Sequence, residues 1–223
     1  MALPILVDYE IKMDQVLQDT EVELEDDARL SLIAESVKTY STYRPLEVPL
    51  RVDGDGGFTY DLPDDWEDGF SEIKSIEYPA GEQIPVILDP LTYQLYRDDT
   101  GLKLRFLADT PETTGEFILT YTIRHSIEEA WGTIPESDFD AVVNLATSLA
   151  CTAIGRKYTQ DAGGSTIAVG SEQWRSVVRY SEKAAELMNM FLKHMGIGKE
   201  VGPALAFGTM IKGSSWGYDK ATH

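Results

Sequence analysis

The hydrophobic pattern changes period twice along the chain, and this limits the folds open to it. From Leu24 to Tyr43, the residues Leu30, Ile33, Ala34, Val37 and Tyr40 recur at helical spacing. Between residues 46 and 127 the reading changes to short β-rich runs: EVPLRVD, FTYDL, EIKSIEY, IPVIL, TYQLY, LKLRF and GEFILTYTIRH. From residue 136 the helical spacing returns. The order helix, strands, helix predicts an α+β chain: a helical bundle into which an antiparallel β sandwich or barrel is inserted.

Turn chemistry supports the division. Asp26 and Asp27 suit the first turn of a helix, where the macrodipole favours anions. Arg44-Pro45 ends that helix, because proline pushes the preceding residue out of the α region. The β-rich runs are separated by Asp53-Gly54-Asp55-Gly56-Gly57, Pro63, Pro79-Ala80-Gly81, Asp89-Pro90, Thr100-Gly101 and Gly115. In the last run Phe117, Leu119, Tyr121 and Ile123 share one face. Thr133-Ile134-Pro135-Glu136-Ser137 is a helix start, with Ser137 or Asp138 as cap. Phe139, Val142, Val143, Ala146, Ala150, Ala153 and Ile154 then form one apolar stripe.

After Gly163-Gly164, a second and longer helix is expected from about Ser171 to Met195, with Gly196 as its stop. On it Trp174, Val178, Ser181, Ala185, Met188, Leu192 and Met195 follow the 4-3-4-3 spacing of helix-on-helix packing. Beyond it, glycines at 198, 202, 208, 213 and 217 alternate with Val201, Leu205, Phe207, Met210, Ile211, Trp216 and Tyr218. Such a segment cannot form a core of its own and is too apolar for a plain solvated tail. It reads as an arm that docks on another chain. The expected organisation is a helical bundle of residues 1–45 and 128–196, an inserted β domain of 46–127, and a docking arm of 197–223.

Charge narrows the partners. The 223 residues carry 38 acids against 19 Lys and Arg, a net charge of −19. The whole excess lies in residues 1–135, with 29 acids and 10 bases; residues 136–223 balance at 9 and 9. Six acids fall between Asp19 and Asp27, too many to bury, so that stretch is solvated or faces a basic partner. A nucleic-acid groove needs a basic field, so binding to DNA is not expected. An acidic wall does suit a conduit through which a duplex passes without sticking. No apolar run approaches the ~20 residues that span a bilayer. The first residues lack the basic n-region of a signal peptide, and one cysteine, Cys151, allows no intramolecular disulfide framework.

Signatures of catalysis fail on context. Gly213-Ser214-Ser215-Trp216-Gly217 matches the nucleophile elbow of hydrolases, but no strand and helix fit around it. Asp53-Gly54-Asp55-Gly56-Gly57 resembles the start of a calcium loop but departs from it at the fifth, sixth and twelfth positions. His125, His194 and His223 stand in no metal-ligand spacing with one another or with Cys151. Asp64, Asp65, Glu67 and Asp68 supply carboxylates for glycoside chemistry only if a cleft surrounds them. No phosphate-binding glycine loop occurs. A non-enzymatic protein without cofactor or metal is expected.

One set of segments resembles a known family. It comprises a helix ending Tyr43-Arg44-Pro45, then Tyr60-Asp61-Leu62-Pro63-Asp64-Asp65-Trp66, Gly69-Phe70-Ser71 and Ile76-Glu77-Tyr78-Pro79. A strand from Gly115 to His125 follows, then a helix pair opened by Thr133-Ile134-Pro135 whose first member ends in Tyr158-Thr159-Gln160. Over about residues 20–195 this resembles the head-to-tail connector, or adaptor, proteins in the neck of tailed bacteriophages. The resemblance implies a structural virion protein at the head–tail interface, assembled in the host cytoplasm. It implies a ring of usually twelve copies below the portal, lining the DNA exit channel. It also implies portal docking through a C-terminal arm, here Val201, Leu205, Phe207, Met210, Ile211, Trp216 and Tyr218, and contact with downstream neck or tail proteins. Ring packing then falls to Trp174, Val178, Ala185, Met188 and Leu192. The β insertion departs from the smallest family members, so a head-completion or tail-terminator component stays open. So does a carbohydrate- or receptor-binding β module using Trp66, Tyr93 and Tyr96.

Overall fold

A computed structural model describes residues 3–17, 24–108, 111–161 and 172–197. The expected arm beyond residue 197, the Gly163-Gly164 loop and the acids Asp19, Glu21 and Glu23 lie outside the described residues. The elements are α1 (Leu6–Leu17), α2 (Asp26–Tyr43), β1 (Leu46–Asp53), β2 (Thr59–Asp61), β3 (Ile73–Glu77), β4 (Tyr93–Arg97), β5 (Leu102–Phe106), β6 (Glu116–Ile123), α3 (Glu136–Asp161) and α4 (Glu172–His194). The chain is thus α+β. Its contacts divide it into two units, Met1–Ser36 with Ile127–His223, and Val37–Ser126.

In the helical unit α3 is the central element. The sequence predicts one apolar stripe on it, but burial extends round the helix: Ala141, Val142, Val143, Leu145, Ala146, Ala150, Cys151 and Ile154 are all buried. Thr147 and Ser148 are buried too, because their hydroxyls find acceptors. Thr147 donates to the Val143 carbonyl at 2.8 Å, and Ser148 donates across to the Ala184 carbonyl of α4 at 2.7 Å. At 26 residues α3 is also longer than α4, which has 23; the expected order of lengths is reversed.

Helix α4 packs with Val177, Tyr180, Ala184, Leu187 and Phe191 buried, a 3-4-3-4 stripe. Its end follows the glycine rule. Gly196 has φ +77°, the Gly196 amide donates to the Lys193 carbonyl at 3.1 Å, and the Ile197 amide reaches Leu192 at 2.8 Å. Helix α1 buries Tyr9, Met13 and Leu17, and the Tyr9 ring meets Phe139 of α3 edge-on at 4.7 Å. The last carbonyls of α1 need donors. Lys183 of α4 supplies them, donating to Val16 at 2.6 Å and Leu17 at 2.9 Å, where a cation also complements the helix dipole. Val7 and Ile11 of α1, and Leu3 just before it, are 45%, 53% and 46% exposed.

The β unit is a sandwich of two three-stranded antiparallel sheets, ordered β1-β6-β3 and β2-β5-β4. Neither sheet closes, so the barrel alternative falls. The alternation in β6 holds: Phe117, Leu119 and Tyr121 are buried, and Ile123 is partly buried against the same core. Tyr60, Phe106 and Phe117, one from each of β2, β5 and β6, form a triangle of edge-on rings with centroids 5.1–5.5 Å apart. This triangle joins the two sheets. Pro49 is tolerated because β1 is an edge strand. The run IPVIL, expected as a strand, is not one. Only Ile87 bridges, to Glu77, with the Leu88 amide on Ile76 and the Tyr78 amide on Val86. Pro85 and Pro90, which lack amide donors, bracket the segment and keep it from extending.

Candidate functional site

The acidic turn is the first place to look for chemistry, and three of its four carboxylates, Asp65, Glu67 and Asp68, bind residues of the sandwich. Tyr121 donates its phenol to Asp65 at 2.6 Å; burial, then the hydrogen bond and the Asp65 charge, push that phenol well above its ordinary range. Arg124 pairs with Glu67 at 2.6 Å while its guanidinium lies 4.4 Å from the centroid of the Phe70 ring. Arg97 of β4 pairs with Asp68 at 2.5 Å. Trp66 and Leu62 pack against the core from outside. The segment from Tyr60 to Ser71, prominent in the neck-protein resemblance, is a clasp across the sandwich.

The Asp53–Gly57 segment is a turn. Asp55 accepts the Gly57 amide at 2.7 Å, and the Tyr60 hydroxyl accepts the Asp55 amide at 3.2 Å. The Gly57 amide, then the Tyr60 hydroxyl, as hydrogen-bond donors to the carboxylate, hold the Asp55 carboxyl below its ordinary value. Gly56 has φ +76°, in the region that favours glycine. Among the described residues no group of three or more His, Cys, Asp or Glu side chains is placed to hold a metal ion. Nor is any described helix long and apolar enough to cross a membrane. His125 is buried beside Tyr40, with ring centroids 5.1 Å apart, and its amide donates to the Ser41 hydroxyl. His194 lies 2.9 Å from the buried Asp138 and ties the end of α4 to the start of α3. Cys151 is buried in α3, and His223 and the Gly213–Gly217 match lie outside the described residues.

What the described residues offer instead is surface for assembly. Val178, Ala185, Met188 and Leu192 of α4 are all partly exposed in the single chain; the Trp174 side chain is outside the described set. At roughly 100° per residue, they sit about a quarter turn from the buried stripe. The two sets have alternating spacings of three and four; the one starting at Val177 is buried, and the other is partly buried. The docking residues Val201, Leu205, Phe207, Met210, Ile211, Trp216 and Tyr218 fall outside the described residues.

The aromatic set of the carbohydrate reading does not form one platform. Tyr93 and Tyr96 are three residues apart on β4 and so face opposite sides of the sheet. Tyr93 packs on the core, where burial raises its phenol; Tyr96 points outward beneath Arg105; Trp66 is packed against Tyr121. Two apolar surfaces escaped the sequence reading. One is Val7 and Ile11 of α1 with Leu3 just before the helix. The other is Ile84, Val86, Ile87 and Leu91 in the β unit, with Ile84 and Leu91 80% and 83% exposed. The strand expectation for IPVIL hid that surface by implying a buried face.

No family model matches the chain, and no curated protein does. Among solved structures it is similar to a chain of the neck of an empty GTA particle computed with C6 symmetry. Identity there is 16%, over 67% of this chain and 77% of that one, with a TM-score of 0.30. It is also similar to a chain of the virion of a native gene transfer agent particle, at 18% identity, 67% and 78% coverage and a TM-score of 0.28.

Proposed function

We propose that the chain is a structural, non-enzymatic connector of a phage-like particle, forming a closed ring in the neck between head and tail. The observation that carries this reading is the second apolar stripe of α4. Val178, Ala185, Met188 and Leu192 remain partly exposed after α3 has filled the first stripe. A rigid helix with one stripe packed inside its unit and another left over suits the wall of an oligomer. The residue-level resemblance to neck proteins says which kind of oligomer. In this reading the ring sits below the portal, residues 197–223 dock on the portal, and the remaining faces meet downstream neck or tail proteins. The acidic excess of residues 1–135 keeps passing DNA from sticking. The division into a helical bundle, a β insertion and an arm belongs to the same proposal.

A Leu192→Asp variant tests it. Leu192 is only partly buried, so the subunit should melt within a few degrees of wild type while the ring is lost, because a carboxylate in an apolar interface is left unpaired. Rings that persist in this variant and in Met188→Asp would remove the α4 stripe from the interface.

A further inference from the structure

A sheet edge offers unpaired main-chain amides and carbonyls, and folded chains blunt such edges with proline, shortness or a covering segment. Three of the four edges of the sandwich are blunted. β1 carries Pro49, and β2 is three residues long. β3 is covered by the segment that brings the Val86 carbonyl to the Tyr78 amide and the Leu88 amide to the Ile76 carbonyl. β4 is the fourth edge, with five residues and no proline. We propose that it takes a further strand from another protein: an extended segment with apolar residues at alternate positions and Lys or Arg at its ends. The proposal stands apart from the ring reading.

Each feature of that occupant has an observation behind it. The first is the direction of the backbone. The Asp98 amide donates to the Gly101 carbonyl at 2.9 Å and the Thr92 carbonyl accepts from the Leu107 amide at 2.7 Å, so the even-numbered residues of β4 bond β5. Tyr93, Leu95 and Arg97 therefore turn their amides and carbonyls outward, and among the described residues nothing pairs with them. Groups spaced two residues apart along one edge are met by an extended chain. The second is the inner face. Leu95 shares the core side of β4 with Tyr93, and its partner on β5, Leu104, is 1% exposed. Leu95 itself is 42% exposed. The core stops one strand short there, and an apolar side chain on an added strand covers Leu95. The third is charge. Val37–Ser126 holds 17 acids against 8 Lys and Arg. The three bases of β4 and β5 are already engaged: Arg97 with Asp68, Lys103 with Asp61 and Asp98, and Arg105 over the Tyr96 ring. Asp89 precedes the strand, and Asp98 and Asp99 follow it. Basic residues suit both ends of an incoming segment, whereas a second copy of β4 sets acids against acids.

The test uses the full chain and two synthetic peptides, KTVTITVK and its glutamate-flanked counterpart ETVTITVE, followed by fluorescence anisotropy and residue-resolved hydrogen exchange. The lysine-flanked peptide should bind and slow exchange at the Tyr93, Leu95 and Arg97 amides, with little change at Gln94 and Tyr96, which already bond β5. Leu95→Pro deletes the central outward amide and leaves the bonds to β5, so affinity should fall by about fivefold or more, the share of one net hydrogen bond. Leu95→Glu, a charge on the exposed inner face, should weaken binding as well, and both variants should melt within a few degrees of wild type. No binding of the lysine-flanked peptide, equal binding of the glutamate-flanked one, binding without slowed exchange at those three amides, or unchanged affinity in both variants would overturn the proposal. Dimers of the purified chain that Leu95→Pro dissolves would give the edge to a second copy and overturn it too.

Discussion

Gly54 shows how closely single residues are set in the β unit. A Cβ there would lie 2.2 Å from the Glu112 carbonyl oxygen and 2.8 Å from that of Gly115, and its amide already donates to Gly115 at 2.7 Å. Backbone blocks it on both sides, so nothing flexible can yield. Gly54→Ala should cost about 1–3 kcal/mol by overpacking, read from a denaturant melt; an unchanged melt would mean that the turn shifts freely. Two carboxylates of the β unit contribute to its acid sensitivity. Asp55, through bonds to the Gly57 amide and Tyr60, and Asp98, through bonds to Thr100, are both held below the ordinary value of 3.8. A depressed carboxylate contributes stability above its unfolded pKa, and that contribution disappears as pH falls through the folded value. Wild type should therefore lose stability from about pH 4 downward, and Asp55→Asn with Asp98→Asn should lose less over that window. Equal slopes for the two proteins would assign that sensitivity to other groups.

At the scale of the elements, Phe191 and Leu192 are neighbours in sequence with different roles. Phe191 is 1% exposed against α3, so Phe191→Ala should destabilise the subunit by about 3–5 kcal/mol in a thermal or urea melt. A loss well under 1 kcal/mol would show that α4 is not clamped as described. The contrast with Leu192→Asp separates folding from assembly on one helix turn. These elements were largely legible in the sequence, because Pro, Gly and acidic caps set their limits and β6 alternates cleanly. The stripe that α4 buries was not legible. Its apolar residues cover two adjacent faces, and the set starting at Trp174 keeps its spacing as well as the set starting at Val177. Periodicity identifies a helix and its candidate faces; which face a neighbour fills depends on tertiary packing. The IPVIL run failed for a different reason, since apolar β-branched residues predict a strand whether or not prolines leave enough amides to pair. The clasp of Asp65, Glu67 and Asp68 was visible as acids, but their partners Tyr121, Arg124 and Arg97 lie 29–57 residues away.

For the whole molecule, the proposal joins a charge asymmetry to a ring. A DNA titration at low salt, where electrostatics are least screened, should give no tight binding. Submicromolar affinity falling steeply with salt would contradict a conduit that does not hold its cargo. Deleting residues 198–223 should leave the subunit melt nearly unchanged and abolish attachment to the portal; an unfolded truncation would make that segment part of the subunit's own core. The central claim is that copies of this chain close on themselves. Native mass spectrometry of the purified chain and of the chain in its neck assembly measures this directly. The account predicts a single closed oligomer, an integral multiple of the 24.8 kDa subunit, in at least one of the two settings. A monomer in both would contradict it.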